Sequence, residues 1–142
     1  MGHLLFTGIL DRDQEERVIE SIFGGGMFTS YGIRTESSNS GEFDELSYQR
    51  GSIWPHDNWI IAKGLRSSRN SSRYLQIRDA IISAFEAKGA IPEFYGVSRK
   101  NELIPDWRMK IPPCSPQAWS TGAAISFIGS KPRKTPGQGK SR

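Results

Sequence analysis

Three loop-to-helix junctions gather the side chains of this 142-residue chain that are capable of chemistry. The first is Ser30-Tyr31-Gly32-Ile33-Arg34-Thr35. The second runs Tyr48-Gln49-Arg50-Gly51-Ser52-Ile53-Trp54-Pro55-His56-Asp57-Asn58. The third pairs Ile91-Pro92-Glu93-Phe94 with Cys114-Ser115-Pro116-Gln117-Ala118-Trp119. Indole faces beside carboxylates, amides and an imidazole are what a sugar needs. Rings cover the apolar C–H faces of a pyranose, while Asp, Asn, Gln and Arg bind its hydroxyls.

Each residue also has a plainer reading. Trp54 and Trp119 are ordinary core candidates, and composition alone weights core over ligand contact about two to one. His56 and Asp57 at a helix start are in place as capping groups, Asp being favoured by the positive end of the dipole. Adjacent residues on a helix do not face each other, which argues against a His-Asp pair for nucleophilic catalysis. Arg34 has the commoner option of pairing a loop carboxylate. Glu93, after a proline in an inter-helix loop, is a solvated surface residue by default. His3 and His56 are the only histidines and Cys114 the only cysteine, so neither a metal site nor an internal disulfide framework is expected.

The elements that must position these residues are helices. Asp13 followed by Glu16 has capping-box spacing, and Val18, Ile19, Ile22 and Phe23 then form a helical stripe that Gly24-Gly25-Gly26 stops. Residues 27–53 read as a long ordered loop of the kind that usually carries function. Pro55 suits a first helical position, and Trp59, Ile60, Ala62, Lys63 and Leu65 carry that helix forward. Tyr74, Ile77, Ile81, Ile82 and Phe85 recur at spacings of three and four, with Lys88-Gly89 as a basic last turn and C-cap. After an irregular segment over 90–114, Ser115-Pro116 is predicted to open a last helix whose small residues Ser120, Gly122, Ala123 and Ala124 allow close packing. Strand-like alternation is weak throughout, which predicts an all-α class.

Charge narrows the function further. The net charge is +4, but Lys131, Arg133, Lys134, Lys140 and Arg142 outweigh it and leave residues 1–130 at −1. The excess belongs to a Pro/Gly/Lys tail over 131–142, expected to be disordered. Nucleic-acid binding would need Arg66, Arg69, Arg73 and Arg78 to form a patch with that tail, and it ranks last among the readings. No apolar run reaches a membrane span and no secretory leader is evident, so no membrane association and a cytoplasmic setting are expected.

The order of these blocks resembles the C-terminal part of the bacterial and archaeal amylo-alpha-1,6-glucosidase family, the glycogen-debranching-related glycosidases. The matching stretches are Gly2 to Ile9, Met27-Phe28, Tyr31 to Thr35, Gly51 to Asn58, Ile91 to Phe94 and Cys114 to Trp119, covering about residues 2–128. The blocks GSIWPHDN and CSPQAW are the specific ones. The resemblance implies a six-hairpin (α/α)6 toroid with its sugar site in the loops at one end, and inverting hydrolysis of an alpha-glucosidic bond without a cofactor. In that mechanism one carboxylic acid protonates the leaving oxygen and a second carboxylate activates water, the two standing roughly 6.5–9.5 Å apart.

Glu93 aligns with the family's general base. Arg34, Trp54, His56, Asp57, Gln117 and Trp119 fall on positions expected to line the sugar pocket. Twelve helices with their connections need well over about 200 residues, whereas this chain has room for four or five. The general acid would lie before Met1, and Asp57, Glu102 and Asp106 do not align with it. Residues 1–130 are therefore expected to be part of such a catalytic domain, inactive alone and needing an N-terminal chain, with an alpha-glucan or oligosaccharide as substrate. The alternative is a non-catalytic carbohydrate-binding or regulatory module derived from such an enzyme.

Overall fold

A computed structural model describes residues 1–67 and 70–129. The basic tail and Arg69 lie outside the described residues. Among the described residues five α-helices form the frame: α1 (Leu4–Thr7), α2 (Arg12–Phe23), α3 (Pro55–Ser67), α4 (Ser71–Lys88) and α5 (Ala118–Ile128). The only sheet among the described residues is a two-stranded hairpin, β1 (Phe28–Thr29) with β2 (Gly32–Ile33), antiparallel with Phe28 opposite Ile33. The chain is thus a mostly helical, partial all-α domain. No helix among the described residues is long and apolar enough to cross a membrane.

Helix α3 is the hub. It packs against α1, α4 and α5, and its Ile61, Ala62 and Leu65 meet Ile77, Ile81 and Ala84 of α4 and Ala123 and Phe127 of α5 in one buried core. Gly64 makes the α1 contact possible, because a Cβ there would stand 2.5 Å from the backbone carbon of Leu5. Ile53, Tyr95 and Val97 from the loops join this core fully buried. A second, smaller cluster gathers Phe94, Ile104 and Met109 with Leu46, Tyr48 and Trp54.

The periodic elements lie where their patterns put them. Helix α4 buries Tyr74, Ile77 and Ile81 and ends on Gly89 in the left-handed region (φ 62), while α2 buries Val18, Ile19 and Ile22 and stops at Gly24. Two helix starts differ from the sequence reading. In α2 the capping box is formed by Asp11 and Gln14, two residues before the predicted one. The Asp11 carboxylate accepts from the Gln14 N–H at 2.8 Å, and the Gln14 side chain accepts from the Asp11 N–H at 3.0 Å. In α5 the cap is Gln117, not Ser115, and the Ser115–Pro116 peptide is cis. Close packing by α5 uses Ser120, Ala123 and Ala124, whereas Gly122 faces open space.

The long loop over 27–53 is also more regular than its composition suggests. Beyond the hairpin, Arg34 pairs with Ile53 and Ile53 with Tyr95 as successive antiparallel bridges. Gly32 permits the hairpin's approach to the core. It sits at φ 124, and a Cβ would meet Ile81 at 2.8 Å and Ile53 at 2.9 Å.

Candidate active site

The bridged segments form the floor on which the polar residues stand. Ile53 and Tyr95 exchange backbone hydrogen bonds at 2.8 and 3.0 Å, and the Thr35 N–H donates to the Ser52 carbonyl at 3.0 Å. Thr35, Trp54 and Glu93 are thereby fixed on neighbouring stretches that lie far apart in sequence. Asn58, fully buried, locks this floor to α3. Its Oδ1 accepts from the Ile33 N–H at 2.7 Å, and its Nδ2 donates to the Ile33 carbonyl at 3.0 Å and the Trp54 carbonyl at 2.9 Å. Both hydrogen-bonding faces of the amide are used, so Asn58 is a strut of the site and not a free binding group.

At the N-terminal end of α3 lies a cavity of about 450 Å³ lined by Thr35, Gln49, Trp54, His56, Asp57 and Trp119. Four of the six sequence candidates for the sugar pocket meet here: Trp54, His56, Asp57 and Trp119. The Trp54 indole N–H donates to the Ser52 hydroxyl at 3.0 Å and the Tyr48 carbonyl at 3.2 Å, and its ring stacks on Phe94 at 5.2 Å. The His56 ring has Trp59 at 6.0 Å and Trp119 at 5.8 Å. Trp119 itself remains 53% exposed, so its ring is available to a ligand. Asp57 stands in the first turn of α3, with His3 Nε2 3.4 Å from its Oδ1.

Thr35 and Gln49 complete the lining without having been singled out as candidates, although both lie inside the junction segments. Only the fold brings them to the indoles, so sequence offered no signal beyond that proximity.

Arg34 and Gln117 stand elsewhere. The Arg34 side chain is buried, donating through Nη1 to the Val97 carbonyl and through Nη2 to the Ser98 carbonyl at 2.8 Å. Burial is the main reason its guanidinium titrates below the ordinary arginine range. It straps the hairpin to residues 97–98 and does not line the cavity. Gln117 caps α5, its Oε1 accepting from the Trp119 N–H at 2.9 Å and the Ser120 N–H at 3.3 Å. It thus aims Trp119 while its own amide nitrogen stays uncommitted by that cap.

Glu93 is half-buried beside the aromatic cluster. Its Oε1 accepts from the Tyr48 hydroxyl at 3.2 Å. Its backbone is held at both ends: the N–H donates to the Cys114 carbonyl at 2.8 Å, and the carbonyl accepts from the Ser120 hydroxyl at 3.3 Å. Tyr48 packs edge-on against Trp54 at 4.8 Å and Phe94 at 4.9 Å, so one phenol links the carboxylate to the ring that walls the cavity. Burial first, and then the bond and charge of Glu93, raise the Tyr48 phenol above its ordinary range, keeping it a donor. Glu93 is not among the six residues lining the cavity. The arrangement offers one oriented carboxylate, an indole-walled cavity, and a second carboxylate, Asp57, on the cavity wall.

The helical scaffold presents indoles, an imidazole and carboxylates at its loop end, and the family it matches makes it a glycoside hydrolase-like domain. The chain belongs to the family described as mannosylglycerate hydrolase MGH1-like glycoside hydrolase domain, whose model matches residues 4–96. That span contains Arg34, Trp54, His56, Asp57 and Glu93, and ends before Gln117 and Trp119. No curated protein matches the chain. A crystal structure of an uncharacterized conserved protein from Thermus thermophilus superposes on 87% of the chain with a TM-score of 0.64 at 18% identity. At that identity the likeness is one of fold. The chain spans 28% of that protein's length.

Proposed function

We propose that this chain supplies one wall of a sugar site and the water-activating carboxylate of an inverting glycoside hydrolase of glycogen-debranching type. The observation that carries the reading is the contact chain from Glu93 through Tyr48 to Trp54. It holds a half-buried carboxylate at the edge of an indole-walled cavity. With Oε1 engaged by Tyr48, Oε2 is the oxygen that takes the water proton. A base of this kind must stay ionised near neutral pH, and a hydrogen bond to the charged form favours that. Trp54 and Trp119 cover the sugar's C–H faces, while Asp57, His56, Gln49 and Thr35 take its hydroxyls.

Protonation of the leaving oxygen is assigned to a second chain segment that contributes the remaining helices of an (α/α)6 toroid. The 28% share of the longer solved relative supports this division. In the same reading residues 1–130 are the domain portion and an alpha-glucan or related oligosaccharide is the substrate. The isolated chain should bind such a sugar and hydrolyse it negligibly. In a complex with the completing segment, Glu93→Gln should lower hydrolysis by about 10²–10⁴-fold with binding retained. Full activity in that variant would contradict the assignment.

One observation favours a second reading, carbohydrate binding without hydrolysis: Glu93 stands beside the cavity and not in its lining. Sugar binding that persists while every complex remains inactive would select it.

A further inference from the structure

Resting on the division of the domain between two segments proposed above, we infer that the completing segment docks on the outward face of α5. The element it brings there is an apolar helix edged with carboxylates. Helix α5 packs on α3 and α4 and buries Ser120, Ala123, Ala124 and Phe127. Its opposite side, Ala118, Gly122, Ile125 and Gly129 at helical spacing, is exposed, with Ile125 at 67% and the neighbouring Ile128 at 72%. Helices α2, α3 and α4 set charged side chains on their exposed positions, among them Glu16, Lys63, Arg66, Asp79 and Glu86. Helix α5 sets none, since no charged residue stands between Lys110 and Lys131. A helix apolar on all sides belongs in an interior. Trp119, at the other end of α5, lines the sugar-site cavity and is not part of this face.

The charge beside the face names the partner's chemistry. A cavity of about 310 Å³ joins Ile125 and Gly129 to Trp59, Lys63, Arg66 and Tyr74. Lys63 Nζ lies 5.8 Å from the Trp59 ring, and the Arg66 guanidinium 5.9 Å from the Tyr74 ring. Neither cation has a carboxylate partner among the described residues. The C-terminal end of α5, at Gly129, offsets about half a unit of the two charges, so the patch stays positive.

Three occupants compete for this face, and charge separates them. Residues 130–142 offer the isoleucines no apolar side chain beyond two prolines, and they bring five more cations. A second copy packed through α5 about a two-fold axis adds its own Lys63 and Arg66 to the interface, with no carboxylate to meet them. The completing segment has neither fault. The chain spans 28% of the solved relative's length, which leaves further helices to come from elsewhere. One of these fits if it lays an apolar stripe over Gly122 and Ile125 and reaches Lys63 and Arg66 with Asp or Glu. Gly122 has open space where a Cβ would stand, and so lets a helix approach closely.

The test uses the full chain and two fluorescent helical peptides of about 18 residues, long enough to hold a helix beside α5. Both carry the same Leu/Ala stripe, one edged with Glu and the other with Lys, and binding is followed by anisotropy at low salt. The Glu peptide should bind at least about tenfold tighter. Lys63→Glu combined with Arg66→Glu should reverse that order. Ile125→Glu should weaken both peptides by at least about tenfold with helix content unchanged by circular dichroism. The two cation substitutions carry the test if Ile125→Glu fails to fold. Equal binding of the peptides, or an order that survives the double variant, would overturn the acidic partner. A dimer of the chain that Ile125→Glu dissolves would put a second copy on the face instead. Binding of neither peptide, with isomaltose still shifting the Trp54 and Trp119 indole signals, would overturn the docking face and leave the sugar site standing. Peptide binding without any response to isomaltose would do the reverse.

Discussion

The two segments that flank the candidate site differ in how deeply they are buried. Residues 92–97 are pinned. Phe94, Tyr95 and Val97 are fully buried, Tyr95 is bridged to Ile53, and its hydroxyl donates to the Tyr31 carbonyl at 2.7 Å. The segment from 106 to 119 is more open at its two ends, with Trp107 83% exposed and Trp119 53% exposed. Its ties are spread out: Met109 is buried with Phe94 and Ile104, the Lys110 N–H donates to the Leu46 carbonyl at 3.0 Å, and Lys88 pairs with Asp106 at 2.6 Å. Beyond Lys110 it is held by the Glu93–Cys114 bond, the Gln117 N–H to the Ile91 carbonyl at 3.3 Å and the α5 cap. The carboxylate therefore belongs to the scaffold, whereas the Trp119 ring is an open-side contact whose role is binding. Substitutions on the pinned side should be read out as stability, and those on the open side as affinity.

The largest expected effect is Phe94→Ala. It removes a fully buried ring that stacks on Trp54 and contacts Tyr48, and should destabilise the fold by about 3–5 kcal/mol in urea unfolding. A loss below about 1 kcal/mol would mean that the 92–97 segment is not pinned through this ring. Asn58→Ala comes next. It strands the Ile33 N–H and carbonyl in a buried place and should cost about 2–4 kcal/mol, more than removal of an exposed amide.

Tyr48→Phe removes the hydroxyl whose bond Glu93 Oε1 accepts and should lower stability by less than either of these. It carries a pH signature as well. The phenol's folded value is raised, so its contribution is complete below the unfolded phenol value of about 10 and is lost as pH climbs through the folded value. The unaltered chain should therefore lose stability above pH about 10, and Tyr48→Phe should blunt that loss, as followed by circular dichroism. Tyr95, fully buried and raised by burial, adds to the same alkaline limb and remains in the variant. The smallest effect on folding belongs to Trp119→Ala, expected within about 0.5 kcal/mol of the parent, yet sugar affinity should fall by about tenfold. Unchanged affinity would break the contrast between the two flanks.

Much of the scaffold was legible because its signals are local. The stripe Tyr74, Ile77, Ile81 and the Gly89 cap mark α4, and Pro55 marks the start of α3. Local signals also misled where two were available. Asp11 with Gln14 and Asp13 with Glu16 both have capping-box spacing, and only the backbone decides, Asp11 being extended at ψ 173. At α5, the pattern Ser115-Pro116 looks like a cap, but the amide of Gln117 reaches the free N–H groups.

The candidate site was legible in its aromatics and carboxylates and not in their roles. Arg34 finds carbonyl partners 63 and 64 residues away, and Tyr48 reaches Glu93 across 45 residues. Such partners follow from tertiary packing, which no spacing rule encodes. The isolated bridges at Ile53 escaped notice because a single paired residue leaves no alternation to read.

The central claim, that the cavity between α3 and α5 is a sugar site, is tested most directly by the four indole N–H resonances of the chain during titration with isomaltose. The signals of Trp54 and Trp119 should shift in a saturable, parallel way, while Trp107, on the 3-10 turn over Asp106–Arg108, stays fixed. Shifts confined to Trp107, or none at all at saturating sugar, would contradict the account.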